Sequence, residues 1–489
     1  MKKTSLLLLF AGIIFQANAT ISQIRWGSSG DPLNGLTITW SNSGTADSVK
    51  WGYTTSYEKG KFSGTKRAGY STNSFFKYTF PTVTASSVLY YSLYDSGSKT
   101  WGAQQTFTTS PPLNTGTFTF CALGDCRDYP TTLTTISNLV GARKPALTLF
   151  NGDLTLSGNS ATQYNTFFTA ASNFLANNLA YHAEGNHDAA SPSMFSNLWD
   201  LPIVNGQNLY YSTKYGNAIF ITINTNDPSN ATQLSWLKTT LAAAAADPSI
   251  LWKIVSCHHA FFNTGSHTGD MDAYRSTIWK AFDDYGVDLV INGHDHNYQR
   301  SFPINLNSGS VGNPVAQYGS AAGQGRCEII AGGAGAGLYS QVTSSADAWS
   351  IKTFKQSYNY LTCDVQNCKI IITDYDQTNA VIETFTLDKT GTSACVTTGE
   401  PSLTKNPNPL VVYPNPSDGT ITMHYSSENT GEALIQIFDI MGKEIVTEKV
   451  SKATAEMDFK YDLSKYAKGT YTISIIVGSQ KDKATIILR

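Results

Sequence analysis

Charge is scarce in this chain. Asp, Glu, Lys and Arg make up only 14% of its 489 residues, the formal net charge is −2, and no basic tract occurs. That removes the electrostatic footprint of a nucleic-acid binder. Long apolar runs are scarcer still. The only one, residues 6–15, follows Met1-Lys2-Lys3 and precedes Ala17-Asn18-Ala19, so residues 1–19 are expected to be a secretory signal peptide cleaved after Ala19. A membrane anchor is the alternative, but the run is too short to span an ordinary bilayer, and no transmembrane segment is expected elsewhere. Cysteine is sparse as well: the seven present permit disulfides in an exported chain but leave at least one unpaired in a monomer. Cys363 and Cys368 flank a short polar stretch between two β-rich runs and are expected to close a hairpin.

Histidine is rare but not scattered. Seven of the eight histidines lie between positions 182 and 296. Around them, apolar runs that read as buried strands end in short polar turns: Gly124-Asp125, Gly152-Asp153, Gly185-Asn186-His187, His258-His259 and Gly293-His294-Asp295-His296. His294 and His296, two apart in extended chain, can point to one side. Five strands thus each deliver a carboxylate, amide oxygen or imidazole at the carboxyl end, where open α/β sheets gather ligands. Such a set describes a site for two metal ions, and it suits hard or borderline divalent ions such as zinc, manganese or iron. Cys126 and Cys257 neighbour these positions and are read as packing residues, because a thiolate is out of place among hard oxygen donors. Between the strands, helices are expected over 163–178, 231–245 and 272–285, an alternation that implies βαβ units.

The ordered series Gly-Asp-x-Arg, Gly-Asp, Gly-Asn-His-Asp, His258 and Gly-His-x-His resembles the calcineurin-like metallophosphoesterases, and more closely their purple acid phosphatase branch, over residues 115–390. The resemblance implies an α/β metallophosphoesterase core of layered β-sheets flanked by helices. It implies that Asp153 bridges the two ions, with Asp125 and His296 on one and Asn186, His258 and His294 on the other. His187 would hydrogen-bond a phosphate oxygen, and His267 would protonate the departing alkoxide, a role suited to imidazole near neutral pH. His259 is read as orienting its neighbour and His182 as a strand residue. Arg127 stands where other branches put Gly or a ligand His; it can contact substrate or form a structural salt bridge with Asp128. Leu156 stands where purple acid phosphatases carry the tyrosine that binds ferric iron, so a colourless protein is expected. The implied activity is hydrolysis of phosphate monoesters by metal-hydroxide attack. The alternatives are a phosphodiesterase or nucleotidase on the same scaffold, or a non-catalytic surface binding protein.

Two further β-rich segments flank this region. Residues 20–110 hold short alternating runs such as 36–40, 48–52 and 88–93, a β-sandwich pattern that resembles the fibronectin-type domain preceding the catalytic domain in purple acid phosphatases. After a Pro- and Asn-rich linker at 396–410, residues 411–489 resemble the C-terminal sorting domain of the type IX secretion system. That implies the type IX machinery as a partner and a secreted or cell-surface location. A permanent binding module is the alternative for this tail.

Overall fold

The computed structural model describes residues 21–42, 47–67, 74–95, 98–190, 193–308, 312–392, 395, 410–427, 429–440, 442–478 and 480–489. The expected signal peptide and all but the last residue of the linker at 396–410 lie outside them. Two compact units divide the chain between Cys395 and Val396.

In the first unit, the apolar runs before the Gly-Asp and Gly-Asn turns are strands at Thr117–Leu123, Leu147–Phe150 and Leu179–His182, paired in parallel. Parallel neighbours need a crossover connection. The first is helix Pro130–Arg143, which has proline in its opening turn and ends at Lys144 in the left-handed conformation. The second was expected as one helix over 163–178. It is instead helix Ala161–Ala170, capped by Ser160, and a separate turn Ser172–Leu175, because Ala171 at φ −98° and ψ 5° breaks the ladder. A second parallel set, Ala218–Thr222, Trp252–Ser256, Leu289–Asn292 and Cys327–Ala331, forms the centre of a seven-stranded sheet.

Strand alternation assigns the two faces of that second sheet. Phe220, Ile254, Leu289 and Ile291 point into a core shared with Phe120, Ala122 and Leu149 of the first sheet, whereas Ile221, Val255 and Val290 meet Leu237, Leu241 and Phe282 of the helices outside. The two sheets are therefore stacked, and their parallel strands deliver carboxyl-terminal turns to one edge of the shared core. Residues 272–285, expected as a regular helix, open as a 3-10 turn at Asp272–Tyr274, widen into a π-turn at Arg275–Trp279 and only then become α-helical at Lys280–Tyr285. Arg275 sits at the irregularity and reaches out of it, donating to Phe261 O at 2.8 Å and to Asp347 at 2.5 Å.

The first sheet continues beyond these parallel strands into the amino-terminal region. It has ten strands, and Ser22–Ser28 joins it alongside Leu179–His182 through the pair Trp26 and Leu179. A second sheet, built from Gly60–Ser63, Ser48–Gly52, Val88–Asp95, Thr100–Trp101 and Gln105–Thr108, accompanies these amino-terminal strands. Trp26 stacks on Phe107 with centroids 4.0 Å apart, and its indole N–H reaches the Ala176 carbonyl at 2.9 Å, an acceptor shared with the Tyr91 hydroxyl at 2.8 Å. Asp200 clamps the same joint: Arg67 at 2.9 Å, Lys77 at 2.7 Å and the Thr39 hydroxyl at 2.6 Å all meet its carboxylate.

The cysteine pairing differs from expectation. Cys368 is bonded to Cys395, and Cys363 is a free buried thiol. The register explains it. In the hairpin of Asn359–Gln366 and Lys369–Asp376, Cys363 lies opposite Ile372 while Cys368 occupies the turn, so the two cysteines never face each other across the ladder. Cys126 and Cys257 are buried free thiols.

The second unit has its own core of Ile435, Ile437, Ile473, Ile475 and Tyr425 between a three-stranded and a four-stranded sheet. No helix among the described residues is long and apolar enough to cross a membrane.

Candidate metal centre

Three of the strand-end turns pass through backbone conformations that side chains resist. Asp125, Asp153 and His294 have φ of 60°, 53° and 70°, each a cost of about 1–2 kcal/mol for a residue with a Cβ. The surroundings hold them there. Asp125 N donates to Gly152 O at 2.9 Å and Cys126 N to Asp153 O at 2.8 Å, which clasps the two aspartate turns together. His294 N donates to Asp125 Oδ2 at 2.9 Å, tying the second sheet to the first, and Gly293 N donates to His258 O at 3.0 Å, joining two turns of the second sheet. Glycine is required at the crossing: a Cβ on Gly293 would stand 2.4 Å from Asp125 Oδ2.

These turns bring Asp125, Asp153, Asn186, His258, His294 and His296 together. His258 Nε2 lies 3.0 Å from Asn186 Oδ1, 3.3 Å from Asp153 Oδ1 and 3.1 Å from His294 Nδ1. His296 Nε2 lies 3.5 Å from Asp125 Oδ1. Each imidazole has its other nitrogen committed to an acceptor. His258 Nδ1 donates to Asn151 O at 2.7 Å, His294 Nε2 to Asp270 Oδ2 at 3.3 Å, and His296 Nδ1 to Gly337 O at 2.6 Å. With those protons fixed outward, the facing nitrogens present bare lone pairs to one another and to carboxylates, an arrangement that repels itself unless a cation sits between them.

The electrostatics agree. Asp125 Oδ1 and Asp153 Oδ2 are buried with no hydrogen-bond partner among the described residues. Burial, and then the charge of Asp153, pushes the Asp125 carboxyl well above the usual carboxylate range. Burial likewise lowers all three imidazoles, His296 to about 4, so they stay neutral and available as ligands. Of three clusters of potential ligands among the described residues, His267 with Asp270 and His294 lies partly exposed at the mouth, and the two buried ones are Asp153 with His258 and His294, and Asp125 with Asp153 and His296. Asp153 belongs to both, and two divalent ions bridged by its carboxylate fit this donor set of oxygen and imidazole.

The remaining sequence candidates line the same edge. Arg127 forms the expected salt bridge, Nη1 pairing with Asp128 at 3.1 Å, while Nη2 is 3.3 Å from His296 Nε2 and Nε is 3.5 Å from Asp153 Oδ2. His187 has its backbone N–H on Asp153 Oδ1 at 3.0 Å and its Nδ1 on Leu156 O at 2.8 Å, leaving Nε2 at the half-exposed mouth. His267 stacks against His294 with centroids 3.8 Å apart and sits 3.6 Å from Asp270. Its loop is firmly held: His267 N donates to Asp295 Oδ1, Asn263 N to Asp347, and Phe261 N and Phe262 N to the buried Glu328 carboxylate. His259 donates to or accepts from Thr225 at 2.8 Å and packs on His294, 4.2 Å between centroids. His182 is a strand residue packed between Phe150 and Trp199.

Asp270, Asn151 and the Gly337 carbonyl were not anticipated, although they fix the three imidazoles. Asp188, buried beneath the Asn186 turn, was visible only as the end of the Gly-Asn-His-Asp string; it accepts from Gly185 N at 3.1 Å and Leu154 N at 3.2 Å and so joins two ligand turns.

Residues 118–298, which contain the six candidate ligands, match the family model for calcineurin-like phosphoesterases. Residues 411–489 match the secretion system C-terminal sorting domain. Among curated proteins, probable inactive purple acid phosphatase 27 of Arabidopsis thaliana is 26% identical over 336 residues, covering 60% of this chain and 54% of its own. Purple acid phosphatase 18 of the same plant is 26% identical over 210 residues, 40% of this chain and 48% of its own. The chain spans about half the length of these relatives. Purple acid phosphatase PPD1 from yellow lupin (Lupinus luteus) seeds superposes with a TM-score of 0.64 at 16% identity, covering 76% of this chain and 74% of that one. The fold is thus the metallophosphoesterase fold, with β-rich regions at both ends.

Proposed function

We propose that this chain is an exported phosphatase that hydrolyses phosphate monoesters at a centre of two divalent ions. One ion would be held by Asn186, His258 and His294, the other by Asp125 and His296, with Asp153 shared. The single observation carrying this reading is the convergence of three imidazole lone pairs on the buried carboxylates of Asp125 and Asp153, each of which keeps one oxygen with no hydrogen bond among the described residues. Ions bound there supply Lewis acidity and a water acidic enough to lose its proton near neutral pH.

The protein's own groups then have distinct tasks. Arg127 offers a guanidinium, already held by Asp128, to a phosphate oxygen. His187 presents Nε2 to a second oxygen, its ring fixed by the Leu156 carbonyl. His267, beside Asp270 and oriented by its anchored loop, is placed to give a proton to the departing alkoxide, a step that general acids accelerate by about 10²–10⁴-fold. The sorting domain supports type IX export to a secreted or cell-surface location. In that scheme residues 1–19 are a signal peptide and residues 20–110 a fibronectin-type domain.

Turnover of an aryl phosphate monoester and of the matching diester by the metal-replete chain tests the reading. Preferential monoester hydrolysis is expected; cleavage of the diester alone would replace the monoester reading with a phosphodiesterase. With Leu156 in place of a tyrosine ligand, the iron-loaded protein is expected to lack a visible charge-transfer band.

A further inference from the structure

Beside the metal centre a recess of about 320 Å³ opens between helix Pro130–Arg143, helix Ala161–Ala170 and the turn after Asp153. Its walls include Leu133, Leu154, Leu156 and Phe167. Three of these are core residues, but Leu156 is 49% exposed. A single exposed apolar side chain is common on a surface; what distinguishes Leu156 is that it forms part of the recess wall beside the candidate centre. Two polar groups in the recess also want partners. The Thr155 hydroxyl is buried without one. Gln163 uses its Oε1 to accept from Ser157 N at 2.8 Å, and its amide N–H₂ has no partner among the described residues. A mostly apolar hollow with a few unpartnered polar groups is how small-molecule sites are built.

Arg127 joins this recess to the metal centre. It lines the hollow, and its Nε and Nη2 stand 3.5 Å from Asp153 Oδ2 and 3.3 Å from His296 Nε2. A phosphate gripped by that guanidinium would have its organic substituent directed along the same side chain. We propose that the recess receives the organic part of the phosphate ester, that it selects aromatic or otherwise apolar alcohols over polyols, and that Leu156 determines this preference. A sugar would bury several hydroxyls against Leu133, Leu156 and Phe167 with only Thr155 and Gln163 to answer them, at a desolvation cost that an aromatic ring avoids. The backbone of Leu156 is fixed by its carbonyl contact with His187, so its side chain is held at the rim. The inference rests on the phosphatase reading above.

Phosphonates test it without turnover. Calorimetric titration of the metal-replete full chain with phenylphosphonate and with methylphosphonate is expected to show the phenyl compound binding about tenfold or more tightly, as burial of one ring predicts. Leu156→Asn is expected to bring the ratio close to one, and Leu156→Met to retain it; the position is exposed, so neither change threatens folding. Equal affinities in the unsubstituted chain, binding of neither compound, or an unchanged ratio in Leu156→Asn would overturn the proposal. Failure of the phosphatase reading is seen separately, as absent hydrolysis of every monoester.

Discussion

The two halves of the metal centre are built to different tightness. Around His258 three donor atoms stand within 3.0–3.3 Å, and the ring itself is buried among Asn151, Asp153 and His294. Around His296 the nearest carboxylate oxygen is 3.5 Å away, and the guanidinium of Arg127 approaches both His296 and Asp153. A fixed positive charge there partly neutralises the carboxylates that a second ion would need. The difference teaches that ligand identity alone does not set affinity. One half is preorganised for a cation; the other shares its charge with the Arg127 guanidinium.

The largest predicted effect breaks the comparison at its strong side. His258→Ala is expected to leave no tightly held ion, while His296→Ala keeps one tightly held ion per chain; elemental analysis after exhaustive dialysis, which strips a weakly held ion, reads the difference, and equal retained metal in both variants would contradict the difference in tightness. Arg127→Ala sharpens the contrast by moving two quantities in opposite directions. The second ion should bind more tightly once the competing charge is gone, while KM for a monoester rises about tenfold or more, the worth of one charge-assisted hydrogen bond. A fall in both affinities would assign Arg127 a structural role only. Asp270→Asn removes the carboxylate that fixes the His294 tautomer, and second-shell losses of this kind cost about 10–100-fold in metal affinity. That loss is expected at the tight half alone.

The smallest effect lies outside the centre and serves as its control. Burial raises the Asp200 carboxyl, but Arg67 and Lys77 together overcome that and hold it below its ordinary value. A depressed folded-state pKa means the stabilisation is complete above the unfolded value of about 3.9 and is lost as pH falls through the lower folded value. Asp200→Asn should therefore lower the unfolding free energy at neutral pH by about 2 kcal/mol, a loss that shrinks in acid, and leave metal stoichiometry untouched. An altered stoichiometry would mean that the amino-terminal joint and the centre are coupled.

The candidate ligands and the groups that orient them differ in how far they could be read from the chain. Each candidate ligand follows closely on a buried strand, where an apolar run breaks at a polar turn, and that local signature singled out Asp125, Asp153, Asn186, His258, His294 and His296, which the fold brings together. The partners that orient them could not be read this way. Asp270 meets His294 from a neighbouring loop, and Gly337 meets His296 from a glycine-rich stretch with no periodicity, so neither pairing leaves a trace in residue spacing. Cys363 and Cys368 show the same limit. Proximity in sequence suggested a bridge, but strand register placed Cys363 opposite Ile372 and left Cys368 to a partner 27 residues away. The continuity of the first sheet into the amino-terminal strands rests on one parallel pairing, Trp26 with Leu179, for which the alternating pattern of either segment gives no hint.

Asp153 is the residue on which both halves depend, and it offers the most direct test of the whole account. Metal content and turnover of an aryl phosphate monoester should be measured together for the full chain and for Asp153→Asn. The account predicts two ions per chain with monoester turnover, and loss of turnover together with at least one ion in the variant. Turnover that survives in Asp153→Asn, or a chain that holds both ions and cleaves no phosphate ester, would contradict it.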